Sequence, residues 1–323
     1  MKTQRFLPVA GILLSAVFFS ACSKDDAAQP LLRADNEVAV TTQAVAVAMN
    51  SWMTGIADNT SIAALSIPGT HDSGARVEPV AGTAKCQDLT IAQQLEAGVR
   101  FLDIRCRHFG NAFTIHHGAV YQNMNFNDVL LACTNFLTSH PKETIVMSVK
   151  EEHDAADNNR TFEQTFDTYV QQYSKFWYTG ATVPNLGQVR GKIVLLRRFG
   201  ASSTPKGIEA TNWADNTTFT ISNSNATLKV QDQYVVPDNN AKWTTVTNLF
   251  NESRTQQNNT LYINFTSGYK SLIFGIPSIT TVSGNINPRI NTYFTSNTQG
   301  RYGIIPMDFV NAERASMIVN TNF

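Results

Sequence analysis

From residue 61 onward, short apolar runs of β character alternate with stretches of helical periodicity, and few architectures accommodate that pattern. Strands are expected at Leu65 to Ile67, Phe101 to Arg105, Phe113 to His116, Ile145 to Lys150, Ile193 to Arg197, Leu228 to Gln233, Leu261 to Phe265 and Tyr302 to Pro306. Helices are expected at Ile91 to Ala97, Phe126 to Leu137, Phe162 to Tyr173, Thr244 to Arg254 and Pro288 to Phe294, where apolar residues recur three and four apart. Strand, helix, strand in repetition argues for a parallel sheet, and about eight strands argue for closing it into a barrel. The 323 residues hold one such barrel of about 250 residues. A doubly wound open sheet is the structural competitor, but no Gly-rich dinucleotide fingerprint supports it. The stretch Ser267 to Pro288 reads as the longest loop, with Tyr269, Leu272, Ile273, Phe274, Ile276, Pro277 and Ile279 set among Gly and Ser. Such apolar residues are either buried core or a rim exposed to lipid.

Net charge is zero and the charged fraction only 15%, which argues against a nucleic-acid partner, since tracking a phosphate backbone needs a basic excess. The chain opens as a processing signal: Lys2 and Arg5, an apolar run from Phe6 to Phe19, then Ser20, Ala21 and Cys22. The run is too short to span a bilayer. Small residues before a cysteine, with Ser23, Lys24, Asp25 and Asp26 after it, resemble a bacterial lipobox in which Cys22 is lipidated. The alternative is an ordinary signal peptide with an incidental cysteine. The expected organisation is a signal peptide at 1–21, a lipidated tether at 22–45 and one catalytic barrel at 46–323, anchored in the cell envelope or at the cell surface. Cys86, Cys106 and Cys133 remain, leaving one disulfide or buried thiols; no pair has zinc-ligand spacing.

Side chains two apart on a strand share a face, so Asp103 with Arg105, Lys150 with Glu152, and Asp232 with Tyr234 each present a polar pair to one side. Each pair falls at or just past the C-terminal end of its expected strand, the end where parallel barrels carry their active sites. One such pair is unremarkable as a solvated strand end; three at one end are harder to dismiss. Two further segments supply proton-transfer groups: Gly69 to Gly74, containing His71 and Asp72, and His116, His117, Gly118. Two histidine sites beside an arginine suit phosphoryl transfer: one base, one acid, and a guanidinium on the phosphate between them. The same trio could serve a nuclease.

The run S-I-P-G-T-H-D-S-G-A, Ser66 to Ala75, resembles the opening catalytic motif of the bacterial phosphatidylinositol-specific phospholipases C. The likeness continues through F-L-D-I-R at Phe101 to Arg105, H-H-G at His116 to Gly118, E-T-I-V-M-S-V-K at Glu143 to Lys150, G-K-I-V-L-L-R-R at Gly191 to Arg198, V-Q-D-Q-Y at Val230 to Tyr234 and L-Y-I-N-F-T-S at Leu261 to Ser267, ending near Asp308. The resemblance implies a distorted, incompletely closed (β/α)8 TIM-type barrel in a single domain. It implies His71 as the general base on the inositol 2-hydroxyl, polarised by Asp308, and His117 as the general acid at the diacylglycerol oxygen. Arg105 neutralises the phosphate, Asp103 is placed to orient His117, and Asp72 assists at the leaving group or tunes Arg105. Lys150, Glu152, Arg198, Asp232 and Tyr234 match positions that grip the inositol ring, with Tyr234 stacking on its face. His116, facing the other way on its strand, should not share the role of His117.

The implied reaction is metal-independent, with no cofactor. Calcium-dependent relatives carry acidic ligands where Arg105 and Lys150 stand, and two cations there repel a divalent ion. The partner is a phosphatidylinositol-containing membrane surface, with glycosylphosphatidylinositol anchors as a further candidate. Near Val77 to Thr83, where well-known members carry an interfacial tryptophan on a short helix, this chain has none, which shifts membrane engagement toward the 267 to 288 stretch. Two rivals stand. One is another barrel phosphodiesterase, such as a glycerophosphodiesterase, which needs acidic metal ligands. The other is a catalytically silent inositol- or glycolipid-binding lipoprotein, which would be expected to have lost a histidine or the arginine.

Overall fold

A computed structural model describes residues 47–256 and 258–323. The signal peptide, the tether and Cys22 lie outside the described residues. In chain order the strands are β1 (Ser66–Thr70), β2 (Phe101–Phe109), β3 (Ala112–His117), β4 (Val120–Asn125), β5 (Ile145–Ala156), β6 (Trp177–Tyr178), β7 (Ile193–Arg198), β8 (Ile208–Glu209), β9 (Thr218–Ser222), β10 (Thr227–Gln231), β11 (Leu261–Asn264), β12 (Lys270–Ser271), β13 (Pro277–Ser278) and β14 (Gly303–Met307). The helices are α1 (Ile91–Glu96), α2 (Phe126–Ser139), α3 (Phe162–Gln172), α4 (Leu186–Val189), α5 (Asn239–Thr255), α6 (Ile279–Ser296) and α7 (Ala312–Asn320).

One sheet runs β6-β7-β5-β2-β1-β14-β11-β10-β9, parallel from β6 to β10, with β9 antiparallel at its edge. Among the described residues no pairing joins β9 to β6 or β8, so the sheet curls into an incompletely closed barrel, as expected. Both faces of the central strands are covered, which is why β1, β11 and β14 are buried at every position instead of alternating. The helices start where the sequence can cap them: Thr90 with Gln93, Asn125 with Asp128, and Thr161 with Gln164 form reciprocal capping boxes.

Strand parity divides the core. Ile67, Phe101, Val146, Val194, Leu228, Ile263 and Ile304 belong to one apolar cluster together with Trp52, Met53 and Ile62. Their neighbours Leu102, Ile145, Met147, Leu195 and Ile305 pack with helix residues such as Leu130, Phe166 and Ile290 in another. Since side chains alternate along a strand, whatever follows the first set at even spacing points into the barrel.

Two expectations need correction. Phe113 to His116 does form a strand, but β3 runs antiparallel to β2 and β4 antiparallel to β3. Only Gly110 and Asn111, both at positive φ, separate β2 from β3; a two-residue link of that kind makes a hairpin, whereas a parallel crossover needs about a dozen residues. β2 and β5 therefore continue past the barrel rim into an arm, and the short β6 completes the parallel set. The loop expected at 267 to 288 ends early. α6 starts at Ile279 and runs through Gly284 and Pro288, because Ile279, Val282, Ile286, Ile290 and Phe294 form a buried stripe. That packing outweighs a proline's interior penalty of about 3 kcal/mol.

Candidate active site

The parity of the barrel interior continues upward into the site. Ile67 and Gly69 lead to His71; Phe101 leads to Asp103 and Arg105; Val146 to Ser148, Lys150 and Glu152; Val194 and Leu196 to Arg198; Leu228 and Val230 to Asp232; Ile304 and Pro306 to Asp308. Register then sets Arg105, Lys150 and Arg198 side by side, since Arg105 pairs with Lys150 and Lys150 with Arg198 across three strands. A row of three cations at the mouth of a barrel is untenable without counter-charge. Asp103 supplies it from below, 3.1 Å from Arg105 Nε and 3.6 Å from Arg198 Nη1. Glu152 supplies it from above, 2.7 Å from Lys150 Nζ and 3.3 Å from Arg105 Nη1. Burial alone would raise both carboxyls, but the cations prevail: Asp103 is held far below the usual carboxylate range and Glu152 at about 2.

His71 sits just past β1. Its Nδ1 lies 2.7 Å from Asp308 Oδ1, and that carboxylate is itself fixed by the Gly268 N–H at 3.4 Å. Gln87 donates to the carbonyls of His71 and Met307 at 2.9 and 2.8 Å, locking the two strand ends together. Burial would depress the His71 pKa; Asp308 opposes this and leaves it raised. The turn that presents His71 is tight. Asp72 sits at φ 38°, Asp103 N donates to Ser73 Oγ at 2.8 Å, and a Cβ on Gly74 would fall 2.6 Å from Ile115.

His117 arrives from the hairpin arm at the end of β3. Its Nδ1 is 2.7 Å from the carbonyl of Ala84, which leaves Nε2 facing Asp72 Oδ2 at 3.9 Å. The expectation that Asp103 orients His117 is therefore corrected: that carboxylate serves Arg105 and Arg198, and a backbone carbonyl holds the imidazole. Asp72 stands between His117 and Arg105, 3.8 Å from Arg105 Nε. Among the described residues neither Asp72 oxygen has a hydrogen-bond partner. Burial pushes its carboxyl up to about 8, and burial with the charges of Arg105 and His71 pushes His117 down to about 4. Both shifts act against charge, favouring a neutral carboxyl on Asp72 and a neutral imidazole on His117. His116 points away, stacked on His153 with ring centroids 5.7 Å apart.

His71, Arg105, His117, Lys150, Glu152, Arg198, Asp232 and Tyr234 all line one cavity of about 690 Å³, a size that suits a small polar headgroup. Asp103, Asp72 and Asp308 stand behind it. A ring nitrogen of His71 and one of His117 each approach within 4.8 Å of Cys86 Sγ, so the two imidazoles converge on one region. Of the lining residues outside the expected set, Trp213, Asp215 and Tyr269 contribute aromatic or charged side chains. Trp213 lies under the Arg198 guanidinium, 3.7 Å from carbon to ring centroid, and donates to Asp232 Oδ2 at 2.9 Å. Asp215 accepts the Tyr234 hydroxyl at 2.6 Å and raises its pKa to about 12. Tyr269 packs beside Tyr234, ring centroids 6.2 Å apart. Trp213 and Asp215 lie on an irregular segment without periodicity; a tryptophan in the polar run T-N-W-A-D-N was the one signal available.

Residues 68–199 match the family model "Phosphatidylinositol-specific phospholipase C, X domain". Over 275 residues the chain is 35% identical to a 1-phosphatidylinositol phosphodiesterase of Staphylococcus aureus, covering 80% of this chain and 88% of the relative. The chain belongs to the phosphatidylinositol-specific phospholipase C family. A 1-phosphatidylinositol phosphodiesterase of Listeria monocytogenes is 30% identical over 287 residues, covering 85% of this chain and 86% of that one. Among solved structures, a variant of the phosphatidylinositol-specific phospholipase C from Staphylococcus aureus superposes with a TM-score of 0.80 at 32% identity, covering 86% of this chain and 98% of that one. The enzyme from Listeria monocytogenes gives 0.71 at 28% identity, covering 86% and all of that chain. Family membership and barrel architecture thus agree with the resemblance read from the motifs.

Proposed function

We propose that this member of the family cleaves phosphatidylinositol to diacylglycerol and inositol 1,2-cyclic phosphate. The carrying observation is the convergence of His71 and His117 on one cavity that Arg105 also lines. His71 takes the proton of the inositol 2-hydroxyl, and that oxygen bonds to phosphorus. The bond from phosphorus to the glycerol oxygen breaks, and the departing oxygen receives the proton held by the Asp72–His117 pair. Arg105 neutralises the phosphate, whose own negative charge favours moving the shared proton toward His117. The attacking hydroxyl sits on the carbon next to the phosphoester, so the first step is intramolecular and fast; hydrolysis of the cyclic product, with acid and base exchanging roles, is slower. Lys150, Glu152, Arg198 and Asp232 carry the charged groups that hydrogen-bond ring hydroxyls, and Tyr234 offers a ring face.

Catalysis in this reading needs no metal. The row Arg105, Lys150, Arg198 supports it, because three adjacent positive charges repel a divalent ion and attract an anionic phosphate. The rim supports action at a membrane surface: Ile273 and Phe274 are 78% and 96% exposed, flanked by exposed Leu272 and Ile276, on the loop whose Gly275 and Pro277 border the cavity. Attachment through Cys22 and export to the envelope rest on the leader alone; incorporation of labelled palmitate into the wild type and not into Cys22→Ala tests them. Glycosylphosphatidylinositol anchors contain the same ester, and release of an anchored reporter protein tests that extension. The deciding experiment is product identity: phosphorus NMR of phosphatidylinositol digested with EDTA present shows the cyclic phosphate first. Appearance of inositol 1-phosphate without a cyclic precursor would overturn the mechanism.

A further inference from the structure

Cys86 is a wholly buried free thiol behind the cavity that the proposed reaction does not use. Its sulfur, one Asp72 carboxylate oxygen and one His117 ring nitrogen all lie within 4.8 Å of one another. Two independent features point toward a ligand. Asp72, 0% exposed, has both oxygens without a hydrogen-bond partner among the described residues. The Ala84 carbonyl fixes the His117 ring through Nδ1, the outer contact that typically orients a metal-binding imidazole and leaves Nε2 its lone pair. We propose that Asp72, Cys86 and His117 form an inhibitory site for a thiophilic divalent cation of the zinc and cadmium type.

The chemistry favours that class over calcium. Zinc takes mixed sulfur, nitrogen and oxygen ligands at about 2.0–2.3 Å in a tetrahedron, which places ligand atoms roughly 3.3–3.6 Å apart. His117 Nε2 and Asp72 Oδ2, at 3.9 Å, are close to that already. The rest of the closure is about an ångström of side-chain movement. Binding displaces the Cys86 thiol proton and the carboxyl proton, so two ligand charges balance the ion and offset repulsion from Arg105. Calcium, which gains nothing from sulfur, is left with one carboxylate oxygen against that repulsion. The neighbouring trio His71, Cys86, Asp308 also falls within 4.8 Å, but there the imidazole and carboxylate already satisfy each other at 2.7 Å. A cation held by His117 occupies the nitrogen that must pass the leaving-group proton, so turnover stops.

The inhibition readout rests on the reaction proposed above; the binding readout does not. Cadmium titrated into the protein gives a thiolate-to-cadmium charge-transfer band in the ultraviolet at one equivalent. Zinc inhibits release of a chromophore from a soluble inositol phosphate ester, and a chelator restores activity. Cys86→Ala and Cys86→Ser both keep metal-free turnover within about threefold, lose the band, and need at least about tenfold more zinc for half inhibition. Having two replacements guards against one that folds poorly, and Cys106→Ala retains the wild-type band. Absence of the band in the wild type, or equal zinc sensitivity of wild type and both Cys86 variants, refutes the site. Failure of the ester assay in metal-free wild type would instead refute the reaction.

Discussion

Replacing Asp308 with Asn removes a charge while nearly conserving shape, and it isolates what that carboxylate does for His71. In the native site the His71 pKa is raised against a burial effect that alone would lower it. With Asn, burial prevails and the pKa falls below its ordinary value of about 6.5. Two estimates bound the fall. A hydrogen bond to a charged partner contributes about 1.5–3 kcal/mol and a neutral one about 0.5–1.5, a difference near 1.4 kcal/mol or one pH unit. A Coulombic estimate at about 4 Å and an effective dielectric near 20 gives roughly 4 kcal/mol, three units. The limb of kcat/KM that rises with pH, where His71 loses its proton, therefore moves toward acid by about one to three units. At neutral pH more of the variant then carries the free base, so any loss of rate there reflects weaker basicity and a less firmly held ring. That loss is about 10- to 100-fold, short of the 10²- to 10⁴-fold upper range expected for losing a general base altogether. The assay is kcat/KM on a water-soluble chromogenic inositol phosphate ester across pH, which avoids interfacial effects, with a thermal melt to confirm folding. A limb that stays in place, or moves toward alkali, refutes the coupling of His71 to Asp308.

The hairpin geometry predicts that His117→Ala loses about 10²- to 10⁴-fold in kcat while His116→Ala stays within about tenfold; equal losses would mean the two side chains had been assigned to the wrong faces. Arg105→Lys keeps the charge but loses the planar fork held between Asp103 and Glu152, and kcat falls by about 100-fold with KM little changed. Activity survives excess EDTA, and added calcium does not raise it; loss on chelation with recovery in calcium contradicts the cationic row as the phosphate site. The double variant Phe274→Asp, Ile276→Asp weakens partition onto phosphatidylinositol vesicles by at least about 100-fold, since burying each apolar side chain contributes about 1.5–3 kcal/mol. Its turnover of the soluble ester stays within about twofold. Unchanged vesicle binding removes the loop from the membrane interface.

How far the sequence discloses such a site depends on what carries each residue. Asp103, Arg105, Lys150, Glu152, Arg198 and Asp232 are legible because a strand's two-residue period binds each to an apolar partner lower in the same barrel wall, and the barrel's interior parity continues unbroken into them. Their ion pairs, Asp103 with Arg105 and Lys150 with Glu152, are consequences of that spacing. His117 is legible as a residue but not as a geometry. Its strand obeys the same alternation whether it runs parallel or antiparallel, and only the Gly110–Asn111 link distinguishes the two. α6 is obscured by Gly284 and Pro288, local breakers overridden by a buried stripe that becomes visible only once its packing partners are known. Trp213 and Asp215 have no periodic partner at all; what places them is the closing of their loop over Arg198 and Tyr234, contacts far apart in sequence. The residues that continue a barrel strand, Arg105 as much as Lys150, Glu152, Arg198 and Asp232, are written in local pattern, whereas the loop contacts that back Arg198 and Tyr234 and the exposed Leu272 to Ile276 rim emerge only from the folded chain. Divergence in substrate preference among relatives sharing this barrel should accordingly concentrate around Trp213, Asp215 and the Leu272 to Ile276 rim, where changing a side chain leaves the pleat, and hence the chemistry, intact.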